Sequence, residues 1–232
     1  MKSMRYFILP MVSLMIFVLL APYSSASESN AANSESKYIA FTETYWQEEP
    51  PVMLLTDEGE EAVQQQIKGK YVTSKYEVWF NKQGHYRFDV IEGPYAGNYE
   101  IWDGYILYQY NKMTNDIVVR DYSNENVNPI PHLFLSETVT ERIKSDIKNG
   151  ILSINQKSTG DISHLEKNEL EGQAKTKTEI TLDKDRNIVL SSIYSRDDKV
   201  THSLIINEYK SDVEFNLSLL SVPTNVPKFQ LK

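Results

Sequence analysis

The stretch from residue 70 to residue 122 constrains the fold more than any other part of the chain. Its apolar residues recur at every second position, and polar turn residues such as those at 81–84 interrupt them about every ten residues. In a β-strand, successive side chains point to opposite faces, so residues two positions apart share a face. The pattern predicts an antiparallel β meander in which one face carries Val72, Tyr76, Val78 and Phe80, followed by Tyr86, Phe88 and Val90.

The opposite face of the predicted meander is also rich in large apolar residues. Its charged residues, which include Lys75, Glu77 and Glu100, alternate with Trp79, Trp102, Ile106, Tyr108 and Tyr110. One small core does not need so much apolar surface on both faces of a sheet. The surplus predicts a cavity or a surface that binds a partner.

The N-terminal residues have the pattern of an export signal. Lys2 and Arg5 precede an apolar run over residues 6–21, and small residues follow as far as Ala26. We expect a signal peptide over residues 1–26, cleaved after Ala26, with an uncleaved N-terminal anchor as the alternative. The polar residues 27–37 then form a flexible tether, and residues 38–232 form a single domain.

Composition restricts the cellular location and the classes of partner that can be expected. The sequence contains no cysteine, which excludes disulfides and a lipid-modified cysteine and suits an exported bacterial protein. Its net charge is −8, and removal of residues 1–26 makes it −10, because that segment contains two basic side chains and no acidic one. Nucleic acid is therefore not an expected partner.

Two helices are predicted among the strands. Asp57 can cap a short helix over residues 58–68 that Gly69 ends. A second helix begins near Thr138 and ends at Gly150, and its apolar stripe is formed by Val139, Ile143 and Ile147.

Period-two patterns in the rest of the chain predict further strands. They cover residues 38–46, 151–157, 175–182, 188–195, 200–209 and 213–222. About ten strands with two inserted helices favour a mainly β protein built on one strongly curved antiparallel sheet.

No motif indicates catalysis, a metal site or a cofactor. Asp183, Asp185 and Asn187 have the opening spacing of a calcium loop, but Ile188 and Tyr194 stand where that loop needs glycine and glutamate, so a hairpin turn is predicted. A nucleophile elbow, a phosphate loop and a dinucleotide fingerprint are all missing from the sequence. The histidines also lack metal-ligand spacing, and they are His85, His132, His164 and His202.

Two segments resemble the LolA-like family of bacterial lipoprotein carriers. These segments are EVWFNKQGHYRFDV and YEIWDGYILYQYNK, and the matching positions are Trp79, Lys82, Tyr86, Asp103, Gly104, Tyr110 and Asn111. The closing strands and the segment LSLLSVP are also similar to the end of that family. The resemblance extends over most of residues 38–223.

The resemblance implies an unclosed β-barrel that is covered by helices and binds an apolar ligand on its concave face without catalysis. Lys82 stands where transport members have a lid-locking arginine, so we expect a loosely held lid. Gln83 replaces the neighbouring proline, and the tether over residues 27–37 does not match the family's leading helix. The residues expected to line one hollow are Val78, Phe80, Tyr86, Phe88, Ile101 and Leu107, with Ile143 and Ile147 above them.

The resemblance leaves two functions open. The first is a membrane-proximal protein of the cell or spore envelope that binds a lipid, an acyl chain or an acylated protein. The alternative is a regulatory module whose sheet docks an envelope protein, such as a peptidoglycan-modifying enzyme, without lipid cargo. Gram-positive relatives associated with the envelope and with sporulation or germination use the fold as a binding or regulatory module.

Overall fold

The computed structural model describes residues 36–48, 53–56, 59–62, 69–81, 83–124, 137–155, 158–186 and 188–231. Strands dominate these residues, and one α-helix, α1 (Glu137–Lys148), and one short 3-10 helix (Leu217–Leu220) accompany them. The strands are β1 (Lys37–Glu48), β2 (Met53–Thr56), β3 (Gly59–Ala62), β4 (Gly69–Phe80), β5 (Tyr86–Glu92), β6 (Tyr99–Trp102), β7 (Ile106–Asn111), β8 (Asp116–Asp121), β9 (Ser153–Ile154), β10 (Ile162–Glu171), β11 (Ala174–Asp183), β12 (Ile188–Arg196), β13 (Lys199–Ser211) and β14 (Lys228–Leu231).

Twelve of these strands form one open, curved sheet in the order β14-β8-β7-β6-β5-β4-β1-β13-β12-β11-β10-β9. All neighbours are antiparallel except β14, which runs parallel to β8. The predicted mainly β class and the open antiparallel sheet are therefore confirmed. β1 lies between β4 and β13, so it joins the β4–β8 meander to the later strands.

The predicted meander is present, and its first turn shows why the sequence forms it. Asn81 ends β4, and its side-chain oxygen accepts hydrogen bonds from the backbone N–H groups of Gln83 and His85 at 3.0 and 2.9 Å. Gly84 has a φ of 81°, a conformation that glycine adopts without strain. The chain then reverses into β5, where Tyr86 pairs with Phe80 and Phe88 pairs with Val78.

The two faces of the sheet can be followed across its strands because paired residues point to the same side. One continuous row runs through Ser74, Glu43, Leu204, Ser192, Ile180 and Leu165. We call the face that carries this row the helix face, because α1 packs on it, and we call the other the reverse face.

The second predicted helix is confirmed as α1. Ile143 is buried with Leu152, Leu165, Leu182 and Val189, and Ile147 packs against the same cluster. Gly150 ends the helix with a φ of 72°, and its N–H bonds the Ile147 carbonyl at 3.1 Å. The contacts described for α1 are therefore made at the β10–β12 end of the sheet.

The first predicted helix, over residues 58–68, is wrong where the structure describes that segment. Residues 59–62 form β3, which pairs with β2 in a separate two-stranded hairpin. Gly69, expected to end the helix, begins β4. The physical reason is that a short helix with only Val63 and Ile67 on its stripe gains little from packing, whereas the hairpin satisfies its backbone locally.

Three other strand predictions need correction. Residues 213–222 contain the 3-10 helix and not a strand, and of the described residues 151–155 only Ser153 and Ile154 form a strand. β10 and β14 were not predicted. Charged residues obscure the alternation of β10, and β14 has four residues whose partner β8 lies more than a hundred positions earlier in the sequence.

Candidate functional site

Five of the residues predicted to line a hollow share the helix face, where they pack together. Tyr86 and Leu107 are 1% and 4% exposed, and Val78 and Phe80 are also buried. The ring centroid of Phe88 lies 5.2 Å from that of Tyr76 and 6.1 Å from that of Phe41. Ring-to-ring contacts at such distances are those of a packed aromatic core.

Ile101 is not on the helix face with these residues, contrary to the prediction. It pairs with Arg87 and Tyr108 on the reverse face, whereas Trp102 and Glu100 pair with Tyr86 and Phe88 on the helix face. The phase of β6 is thus shifted by one residue from the expected one, and such a shift moves every side chain of a strand to the other face.

Ile143 and Ile147 were expected above the same hollow. Their described contacts are with Leu165, Leu182 and Ile180 at the other end of the helix face. The structure therefore divides the predicted lining into a meander core, a helix contact and one residue on the reverse face. Lys82, the predicted lid-lock residue, lies outside the described residues, so its role stays a prediction.

A buried polar cluster occupies the centre of the helix face. Glu43 is 3% exposed, and its two carboxylate oxygens accept hydrogen bonds from the Tyr76 hydroxyl at 3.2 Å and from His202 Nε2 at 2.8 Å. These residues belong to β1, β4 and β13. Burial, together with the Glu43 charge, raises the pKa of Tyr76. The cluster ties three central strands together, and its acceptors are bonded within the protein.

A second polar cluster lies within the meander core. The Gln109 amide donates to Glu100 Oε1 at 2.8 Å, and the Tyr86 hydroxyl also interacts with this carboxylate. Burial raises the pKa of Glu100, although Gln109, the charge of Arg120 and Tyr86 act in the opposite direction. Burial and the Glu100 charge likewise raise the pKa of Tyr86.

The raised pKa of Glu100 predicts a dependence of stability on pH. The folded state holds the proton of Glu100 more tightly than the unfolded state, so this contribution is complete below the ordinary value of 4.5 and is lost as pH rises through the folded-state pKa. Urea unfolding of Glu100→Gln should lack this loss, because glutamine retains an acceptor for Gln109 but does not ionise. If the free energies of unfolding of parent and variant change with pH in parallel from pH 4 upward, the raised pKa of Glu100 is contradicted.

The aromatic surplus of the reverse face is packed against the chain itself. Tyr99 stacks on Tyr110 with centroids 4.7 Å apart, and the Arg87 guanidinium lies 4.7 Å above the Tyr99 ring. Arg87 also donates two hydrogen bonds to the Asp89 carboxylate, from Nε and Nη2, and one from Nη1 to the carbonyl of Leu219 at 3.2 Å. The 3-10 helix segment is therefore attached to the reverse face of β5.

The reverse face of the central strands carries several polar side chains. Thr42 exchanges hydrogen bonds with Asn207, and the hydroxyls of Thr44 and Thr73 lie 3.0 Å apart. Ile205 is exposed beside them. A surface strand face that mixes polar side chains with an exposed Ile205 has the composition of a protein-binding surface.

Two depressions lie on strands β10–β12. One of about 290 Å³ includes Asn168, Lys177 and Ser195, which form one reverse-face row. The other, of about 200 Å³, includes His164 and Glu166. Their linings combine carboxylates, amines and hydroxyls with aliphatic side chains such as Leu170 and Ile193.

The expected hairpin turn after β11 is confirmed. The Asp183 carboxylate accepts from the N–H groups of Asp185 and Arg186 and from the Arg186 guanidinium. In the described part of the chain, acidic residues and histidines do not gather in groups of three that could hold a metal ion. His132 lies outside that part. Helices within it are also too short or too polar to span a membrane.

Sequence reasoning missed the polar clusters, although a signal for them exists. Glu43 stands in phase with Ile39 and Phe41 of β1, and Glu100 stands in phase with Trp102 of β6. An acidic residue in the apolar phase of a strand indicates a buried carboxylate with internal partners. His202 is such a partner.

A scan against protein-family models finds no match, and a search of curated proteins finds no similar sequence. Among solved structures, an uncharacterized conserved protein of Thermus thermophilus is similar, with 13% identity, a TM-score of 0.47 and coverage of 85% of this chain and 91% of that one. A chain of the Pseudomonas aeruginosa MucA/MucB complex has 12% identity and a TM-score of 0.45, with coverage of 84% and 58%. A further MucB structure has 12% identity and a TM-score of 0.43, with coverage of 85% and 60%.

This chain thus spans less than two thirds of the chains matched in the two MucB structures. All three TM-scores lie below 0.5.

Proposed function

We propose that this protein is an exported, non-catalytic module of the cell envelope that docks another protein through its open sheet. The LolA-like resemblance of the sequence supports the choice of fold family, and the signal-like residues 1–26 support export. N-terminal sequencing of the exported protein should then begin at Ser27, and a start at Met1 would indicate an uncleaved anchor.

Whether the predicted hollow is filled or open distinguishes a lipid carrier from a protein-docking module. Val78, Phe80, Tyr86 and Leu107 are buried against neighbouring side chains, whereas a carrier needs apolar side chains around open space. The open surfaces of the described residues are instead a polar reverse face and exposed strand edges. These features favour docking of a protein over storage of a lipid.

The polar groups also favour binding over catalysis. Glu43, which is buried, and Glu100, which is half-buried, are bonded to tyrosine, glutamine or histidine side chains of the same face. A general acid or base must instead reach a substrate. These carboxylates therefore suit a structural role.

Delipidated, refolded protein incubated with an envelope extract that contains both lipids and proteins tests the proposal. Mass spectrometry should detect no stoichiometric lipid, and chemical cross-linking should yield one saturable protein adduct that excess uncross-linked protein competes away. One lipid per chain, with no competed protein adduct, would favour the carrier function instead.

A further inference from the structure

The two ends of the twelve-stranded sheet differ in how they are protected. At one end, β9 pairs with β10 opposite Leu165 and Glu166, and Thr159 bridges to Ile162. The remaining part of β10 carries Lys167, Glu169 and Glu171, with the exposed Leu170 among them. Charged side chains on an edge strand oppose pairing with another chain. This end has the composition of an edge that avoids strand addition.

At the other end, β14 lacks such protection. All four of its residues are exposed, and Phe229 and Leu231 retain 56% and 51% of their accessible surface. Lys228 is its one charged residue. Among the described residues, β14 is the end strand of the sheet, and no other strand pairs with its outer side.

The backbone of β14 has hydrogen-bonding groups available on that outer side. The Ile117 N–H donates to the Pro227 carbonyl at 2.9 Å, which directs the backbone of residues 227, 229 and 231 towards β8. Alternate residues of a strand direct their N–H and C=O groups to opposite edges. The backbone groups of Lys228 and Gln230 therefore point away from the sheet.

The side chains define what a strand at this edge should carry. Phe229 and Leu231 lie on the helix face beside Val118 and Arg120, so an added strand gains apolar cross-strand contacts there. Lys228 and Gln230 lie on the reverse face, where an acidic side chain can pair with the lysine.

We propose that β14 receives an extended segment of a partner protein in which apolar and acidic residues alternate. This β-augmentation supplies main-chain hydrogen bonds for affinity, and the two faces of β14 supply the sequence preference. The inference rests on the proposed docking function and specifies where and how the partner binds.

A fluorescein-labelled peptide of six alternating valine and glutamate residues tests the preference by fluorescence anisotropy with the full exported chain. We expect it to bind about tenfold more tightly than the same peptide with lysine in place of glutamate. Lys228→Glu should reverse this order. Lys167→Glu, a matched charge reversal at the protected edge, should leave it unchanged.

Gln230→Pro tests the backbone contribution. Proline removes an outward N–H without removing a bond to β8, so circular dichroism and the melting temperature should match those of the parent. Affinity for the glutamate peptide should fall at least about tenfold. If this variant does not fold, the peptide preference of Lys228→Glu decides the question.

Equal binding of both peptides to the parent, or an unchanged preference in Lys228→Glu, would overturn the edge assignment. Undetectable binding of the glutamate peptide to the parent would overturn it as well. The docking function would survive these results if the competed protein adduct from the envelope extract persists. It would fail separately if that extract yields stoichiometric lipid and no adduct.

Discussion

Replacing Phe88 with alanine is expected to lower the free energy of unfolding by about 3 kcal/mol, the lower end of the range for phenylalanine, because its half-buried ring packs on other rings and truncation leaves a cavity. The ring of Phe88 contacts those of Tyr76 and Phe41 within the helix-face core. A loss of this size lowers the melting temperature of a domain of about 200 residues by roughly 6–12 °C. Urea unfolding and calorimetry measure both quantities.

Phe229→Ala is the matched control, since it removes the same ring from an exposed position on β14. Its free energy of unfolding should stay within about 0.5 kcal/mol of the parent. If Phe88→Ala changes stability as little as Phe229→Ala does and also weakens binding of an apolar dye, Phe88 faces a hollow and the packed-core interpretation is wrong.

Replacing Glu43 with alanine is expected to lower the free energy of unfolding by about 2–4 kcal/mol, because it leaves the buried Tyr76 hydroxyl and the half-buried His202 without their acceptor. Tyr76→Phe removes a single hydrogen bond to a charged group and should cost about 1.5–3 kcal/mol.

The double variant, Glu43→Ala with Tyr76→Phe, tests whether the two side chains contribute to stability together or independently. Because Tyr76→Phe no longer presents an unpaired hydroxyl, the combined loss should be smaller than the sum of the single losses by about 1–2 kcal/mol. Additive losses would show that the two side chains do not depend on each other.

Alternation of apolar and polar residues predicts a strand when one face of that strand is apolar and the other is polar. β4 and β5 were predicted because Val78, Phe80, Tyr86 and Phe88 alternate with polar residues around a turn that Asn81 and Gly84 define. The shared face of these residues followed from the same pattern.

The phase of β6 could not be predicted in this way. The loop over residues 93–98 separates it from β5, and both Ile101 and Trp102 are large and apolar, so the sequence does not decide which of them faces the core. The register that places Trp102 opposite Tyr86 decides it. The pairing between β5 and β6 therefore determines that Ile101 lies on the reverse face.

Long-range contacts explain the remaining differences. β14 has four residues and depends on parallel pairing with β8, which a local pattern does not indicate. Glu43 was missed because strand alternation was used to find apolar residues, while its partner His202 lies 159 positions away. Sequence patterns predicted the sheet, and the cross-strand contacts determine which of its surfaces remain open.

Titration of the delipidated full chain with a fluorescent fatty acid tests the central claim most directly. A packed helix face predicts no saturable binding at micromolar concentrations, and Phe88→Ala should not reduce the signal further. Saturable binding of one fatty acid per chain, displaced by unlabelled fatty acid and weakened by Phe88→Ala, would contradict the claim and establish an apolar ligand site on that face.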